Sequence, residues 1–494
     1  MTSLADAHSA SSRTRARVLA PTVSGRRRAR GIAWLATVAG AAVIGTAIGV
    51  AAPSTAAAAV VTATPIAGFL HTNGTDSSLY DASGHLVRLV GVNWTGTEGG
   101  GRADARKTTD ACGAIWRTPA DSIPGLVINY DNMYQVLHDW GFNVLRVPVS
   151  WNDLEPTAPV WNATTLSYTH TWNTAYLDDL RSMVHKARQN GLAVILDMHQ
   201  DYWSPALHNI TNWDGSKGYC EGVGLPRWLY PTMDAKTATV QTTDFYNGMN
   251  WFYRNTHDPR ATVTHQTPWQ LLYAAWDQLS YQFSANSGFA DATAVIGADI
   301  LNEPYGNYVG GNPATGQTVL QAADSRLRSF YTALGPAITH WSPNWLLIFQ
   351  DSTGGYNTAN PAARETPVLT ARPSGAGNWV YSMHDYNFGY GVFNDGTSHD
   401  DYGIRVAAAD LANARAWHVP LYVGEFTAFT KGVDVRQLTT AGLAETRKFV
   451  DWAKTNEVSH TFWAYVNPYR PMMIVEYTTN QVVPLVQATL AAGL

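Results

Sequence analysis

The chain is 494 residues long with a formal charge of −5, two cysteines, 19 tryptophans and 24 tyrosines, and only 14% of it is charged. No basic run follows Arg30, which argues against nucleic acid as a partner, and two cysteines are too few for a thiolate zinc site. The aromatic excess suits a carbohydrate cleft, because flat rings stack on the apolar faces of pyranoses, although a large core also uses aromatics.

Arg26 to Arg30 are strongly basic, Gly31–Val50 is an apolar run, and Ala51–Ala58 consists of small residues. This order predicts a secretory signal over residues 1–58, removed on export, and leaves 59–494 as one extracellular domain. The rival reading is a retained membrane anchor, since the apolar run approaches the roughly 20 residues that a spanning helix needs. Small residues directly after the run favour cleavage, and no stable membrane insertion is then expected. The paired arginines lack the following residues of a twin-arginine signal. Cys112 and Cys220 are expected either to close one disulfide between two long loops or to stay as buried thiols.

Beyond the leader, Phe69–Leu89 reads as a short hairpin turning at Asp81-Ala82-Ser83-Gly84. Eight short apolar runs follow: Val87–Asn93, Val144–Trp151, Ala193–His199, Val295–Asn302, Trp345–Gln350, Val380–His384, Leu421–Glu425 and His460–Tyr465. Near-continuous apolar strands imply burial on both faces, as in a parallel sheet. Helical stretches lie between them at Tyr130–Trp140, Thr174–Asn190, Trp269–Phe283, Ser325–Thr339, Val406–Ala416 and Thr440–Thr455. Strands alternating with helices predict an α/β fold, a (β/α)8 TIM barrel with a short N-terminal hairpin. The segments Glu98–Leu126 and Ser204–Ala290 are then long loop insertions at the face where functional loops begin.

A barrel demands that its functional residues gather at strand C-termini. The second run contains Arg146, the third ends in Asp197-Met198-His199-Gln200-Asp201, and the fourth ends in Asn302-Glu303. The sixth ends in His384-Asp385-Tyr386, the seventh in Glu425, and the eighth carries Trp463. One such residue would be a cap or a turn residue; six strands delivering polar or aromatic groups to one rim point to a site. Two carboxylic acids on different buried strands, Glu303 and Glu425, are what glycosidic bond cleavage requires. Taken singly, each glutamate could equally serve a structural ion-pair network.

Together these residues make the chain resemble glycoside hydrolase family 5, the cellulase-like retaining β-glycosidases. The match is carried by Arg146 in Leu-Arg-Val-Pro, His199 in Asp-Met-His and Asn302 with Glu303 in Leu-Asn-Glu-Pro. It continues through His384 and Tyr386 in Met-His-Asp-Tyr, Glu425 in Gly-Glu-Phe and Trp463 in Phe-Trp-Ala-Tyr, and covers the chain from about residue 66 onward. The resemblance implies Glu303 as general acid/base and Glu425 as nucleophile, with their carboxyl groups roughly 5–5.5 Å apart. It further implies that Asn302 donates to the sugar 2-hydroxyl and that Arg146 and Tyr386 keep Glu425 ionised. His199 and His384 would bind hydroxyls or orient the acids, and Trp463 would floor the cleavage point.

The substrate implied first is β-1,4-glucan cut internally, as by an endoglucanase. A β-mannanase, an exo-β-glucosidase and an endoglycoceramidase-like enzyme are the alternatives, the last prompted by Asp197–Asp201 and the long loops. A non-catalytic carbohydrate-binding barrel is a further one. The expected partner is carbohydrate, the expected state a monomer, and no cofactor or metal is called for, since no His-x-x-x-His spacing accompanies His199. Trp203, Trp213, Trp228 and Trp251 fit loop packing better than sugar platforms.

Overall fold

A computed structural model describes residues 66, 68–94, 130–200, 203–207, 223–234, 242–352, 367–385, 402–427, 440–464 and short pieces from 466 to 494. The leader, both cysteines, Trp213 and Tyr386 lie outside the described residues. Eight parallel strands close into a barrel: β1 (Val90–Asn93), β2 (Val144–Val149), β3 (Ala193–Met198), β4 (Val295–Asp299), β5 (Leu346–Gln350), β6 (Asn378–Asp385), β7 (Leu421–Phe426) and β8 (Ser459–Phe462). They follow one another around the barrel in chain order, and β8 closes onto β1 with His460 opposite Val90. The TIM-barrel expectation is therefore met, strand by strand.

Alternation along each strand sorts the side chains. Val144, Ala193, Ile195, Ile296, Leu346, Ile348, Val380 and Tyr422 form one buried cluster, and Leu70, Leu79 and Leu89 belong to it. The expected hairpin, Leu79–Tyr80 against Leu86–Val87 with Gly84 N–H donating to Asp81 O at 2.9 Å, thus plugs the barrel's N-terminal end. The outward-facing set packs beneath the helices in a second, larger cluster. Sequence-read strands overran at Trp151, His199 and Asn302 because the chain leaves the ladder there. Ser150, for instance, caps the short helix Trp151–Leu154.

Helices occupy the predicted intervals, with two early starts, one of them at Tyr402 where Val406 is expected. The stretch expected from Ser325 begins at Val319, where Thr318 and Gln321 form a capping box, and runs through Pro336 to Trp341. Val319 and Leu320 are exposed, so apolar periodicity does not mark this first turn. An unpredicted helix, Thr242–Tyr253, lies in the long insertion. Its Phe252 and Tyr253 meet Trp203 and Phe330 edge-on or tilted, with centroids 5.2–6.0 Å apart. Trp228 donates its indole N–H to Glu155 O at 2.9 Å, and Trp251 packs against the core. These three tryptophans are loop packing, as expected. Among the described residues no helix is long and apolar enough to cross a membrane.

Outside the barrel lumen, Tyr381 Oη lies 2.9 Å from Asp351 Oδ2 and 2.5 Å from Asp410 Oδ1, all buried. A hydroxyl has one proton, so one carboxyl must supply its own. Asp351 already accepts backbone N–H groups from Ser352, Val368 and Leu369. Burial, with Asp351 adding, pushes the Asp410 carboxyl well above its usual range, so Asp410 is the protonated member. An unfolded aspartate releases its proton near about pH 3.9. The stabilisation is therefore complete below that pH and declines as pH rises toward the folded-state value. Between about pH 5 and about pH 8, the urea midpoint of the wild type should fall more than that of Asp410→Asn, whose amide keeps a donor. Equal slopes would show that Asp410 carries no proton.

Candidate active site

Arg146, on β2, is wholly buried at the centre of the barrel's upper layer. Its Nε donates to Asp299 Oδ2 at 3.0 Å, one terminal nitrogen to Asn93 Oδ1 at 2.9 Å and Glu425 Oε1 at 2.8 Å, and the other to Asn302 Oδ1 at 2.9 Å. The second terminal nitrogen also pairs with Asp197 Oδ1 at 3.0 Å. One planar fork thus ties together β1, β2, β3, β4 and β7. Burial pulls the guanidinium down, but Asp197, Asp299 and Glu425 outweigh it and hold its pKa well above the usual value. Three buried carboxylates against one cation leave excess negative charge. Asp299 absorbs it: burial first, then Asp197, push its pKa up to about 7 against the pull of Arg146.

Glu425 lies next to the end of β7 with its side chain almost fully buried, whereas Glu303, just past β4, is the more exposed of the two acids. Between them stands His384 on β6, its Nδ1 2.9 Å from Glu303 Oε1 and 3.5 Å from Glu425 Oε2. An oxygen of each glutamate and a nitrogen of His384 all lie within 4.8 Å of one another. Burial pushes His384 down to about 3, which makes it a neutral imidazole. Burial pushes Glu425 up, with Arg146 opposing and Glu303 adding. Gly424 is required here: a Cβ would sit 2.8 Å from His384 Nε2 and 3.2 Å from Ser382 Oγ.

Among the described residues, Glu303, His384 and Glu425 are the group that could converge on a cation. The neighbourhood does not favour one, because the Arg146 guanidinium already supplies the positive charge at Glu425 and His384 Nδ1 is turned to Glu303. His199 Nδ1 lies 2.6 Å from Asp197 Oδ2, and its ring stacks on Trp463 at 5.4 Å and 7°. Asn302 donates one amide hydrogen to Gln200 O at 3.1 Å, which leaves its second for another acceptor.

Seven of the eight expected residues, Arg146, His199, Asn302, Glu303, His384, Glu425 and Trp463, are therefore described and converge on one rim; the eighth, Tyr386, lies outside the described residues. Sequence reasoning missed Asn93, Asp299 and Gln350, and read Asp197 as part of a polar strand end without assigning it to Arg146. Their signal was available: each is a polar residue in an apolar strand, at or near its C-terminal end.

A model of the family described as Cellulase (glycosyl hydrolase family 5) matches residues 91–468. The chain is 25% identical over 260 residues to an endoglycoceramidase of Cyanea nozakii, which covers 47% of this chain and 45% of that protein. It is 31% identical over 97 residues to endoglucanase B of Ruminococcus albus, 19% of this chain and 21% of that one. The chain thus spans less than half the length of either relative. Among solved structures, endo-glycoceramidase II from Rhodococcus sp. in complex with ganglioside GM3 superposes with a TM-score of 0.57 over 84% of this chain and 81% of that one, at 20% identity, which attests the shared fold. With the barrel and its paired acids in place, the chain belongs to glycosyl hydrolase family 5, whose members hydrolyse O-glycosyl bonds.

Proposed function

We propose that the chain is a retaining β-glycosidase of the endoglycoceramidase kind, which releases the glycan of a glycolipid by double displacement. The observation that carries the chemistry is the approach of Glu303 and Glu425 oxygens to within 4.8 Å. Inverting hydrolysis needs carboxyl groups about 6.5–9.5 Å apart to admit a water between acid and sugar. The close pair leaves room for direct attack instead.

Glu425, held by Arg146 and backed by Gly424, attacks the anomeric carbon as the glycosidic C–O bond breaks. Glu303, nearer the mouth, gives its proton to the departing oxygen. Water then attacks the glycosyl-enzyme, Glu303 takes a proton from it, and the Glu425 carboxylate is released. Neutral His384 spans the two acids and steers both without competing for charge. The remaining Asn302 N–H suits the sugar 2-hydroxyl, the His199–Trp463 stack provides a flat wall, and Tyr386 is assigned to the Glu425 carboxylate.

Family habit favours an endo-β-1,4-glucanase, but the endoglycoceramidase match extends over 47% of the chain against 19% for the endoglucanase. That difference, with the Asp197–Asp201 segment and the long insertion, supports a glycolipid head group. The leader supports an exported enzyme.

Glu425→Ala should lower hydrolysis of an aryl β-lactoside by at least about 10³-fold while oligosaccharide binding persists. Unchanged turnover would remove Glu425 from the mechanism. Azide should restore cleavage by Glu425→Gly and give the inverted glycosyl azide; only retained product would contradict the nucleophile assignment. For the substrate, lactosylceramide in mixed micelles, cello-oligosaccharides, manno-oligosaccharides and an aryl β-glucoside should be compared by mass of products. Intact lactose from the lipid is expected as the fastest release, and faster cleavage of any other member would replace the glycolipid reading.

A further inference from the structure

Glu303 has a backbone φ of +46°, in the left-handed region that glutamate avoids. Holding a non-glycine residue there is strained and needs surrounding structure to enforce it. Two buried glutamines supply that enforcement, one from each strand flanking β4. Gln350, at the end of β5, accepts the Glu303 N–H through Oε1 at 2.9 Å. Gln200, just past β3, donates Nε2 to the carbonyls of both Asn302 and Glu303 at 3.0 Å.

Each glutamine is itself anchored. Gln200 Oε1 accepts the Trp203 N–H at 3.0 Å, and Gln200 O accepts from Asn302 Nδ2 at 3.1 Å. Tyr331 Oη donates to Gln350 O at 3.0 Å. The amide orientations follow from their partners: only an oxygen can face the Glu303 N–H, and only a nitrogen can face two carbonyls. A carboxylate at residue 200 would meet those carbonyls with repulsion, and a thioether would offer no strong hydrogen bond at either place. The grip at residue 200 therefore needs the primary amide, and the grip at residue 350 needs a side-chain acceptor.

We propose that Gln200 and Gln350 are positioning residues that grip the Glu303 peptide from both sides and so aim its carboxyl at the leaving oxygen. This rests on the reading of Glu303 as the acid/base. Loosening the grip lets the backbone relax toward ordinary φ, and that swings the carboxyl away from His384 and the scissile bond. A misaimed acid harms the cleavage of poor leaving groups, which need a proton, far more than that of good ones, which depart unaided.

The test compares kcat/KM for dinitrophenyl β-lactoside, a good leaving group, with octyl β-lactoside, a poor one, in wild type, Gln350→Met, Gln200→Met and Glu303→Ala. The ratio of the two constants from one preparation cancels any loss of folded protein. The octyl-to-dinitrophenyl ratio should fall about 10- to 100-fold in each glutamine variant and further in Glu303→Ala, since small misplacements of a catalytic group cost up to about 100-fold. Azide should accelerate the slowed second step in all three variants. An unchanged ratio in the glutamine variants, with a lowered one in Glu303→Ala, would overturn the clamp alone. An unchanged ratio in Glu303→Ala would overturn the acid/base reading and the clamp with it.

Discussion

One guanidinium organises the catalytic end of this barrel. Arg146 spends its donors on Asn93, Asp299, Asn302 and Glu425 and pairs with Asp197, all out of contact with water. Taking such a charge from water is expensive, and it is tolerated only where well-aligned acceptors surround it. The consequence is rigidity. Any strand that shifted would strand a buried carboxylate or a buried cation, a loss of about 3–5 kcal/mol. Lysine could supply the charge but not the fork.

The same economy of charge shapes the two acids. The centre holds more carboxylates than cations, and burial pushes both Asp299 and Glu425 upward. Asp299, fully buried beside Asp197, yields first. Its partial neutralisation leaves Arg146 to serve Glu425, which must be an anion to attack carbon. His384 is neutral at working pH because a second buried cation beside Arg146 would be repelled and desolvated together. Glu303 lies closer to the mouth and joins this network through His384 Nδ1, 2.9 Å from Oε1, while its backbone is held by amides that add no charge. One acid is thus embedded in electrostatics and the other in geometry, which suits a nucleophile and a proton donor.

The long insertion after β3 contributes aromatic packing in its described part. Trp203 sits in a cage of Tyr230, Phe252 and Tyr253, and its backbone N–H seats Gln200. Packing on the flank of the barrel is therefore linked to the rim residue Gln200 through a hydrogen bond from the Trp203 backbone.

Much of this protein was legible in one dimension. Apolar runs with polar ends, separated by helical periods, specify a parallel barrel, because such strands must be covered on both faces and their C-terminal ends face the same way. Glu303, Glu425, Arg146 and His384 stood out as chemistry-bearing residues at those ends. What the linear order could not supply is who pairs with whom: Arg146 reaches Glu425 across 279 positions, and Asn93, Asp299 and Gln350 acquire their roles only when the barrel closes. The helix starting at Val319 escaped because its first turn faces solvent, and the left-handed Glu303 because local sequence favours no such conformation. Local preferences and burial patterns act over a few residues and are written in the chain. Charge sharing, proton placement and the aim of a carboxyl depend on distances that exist only after folding, and those the tertiary structure decided.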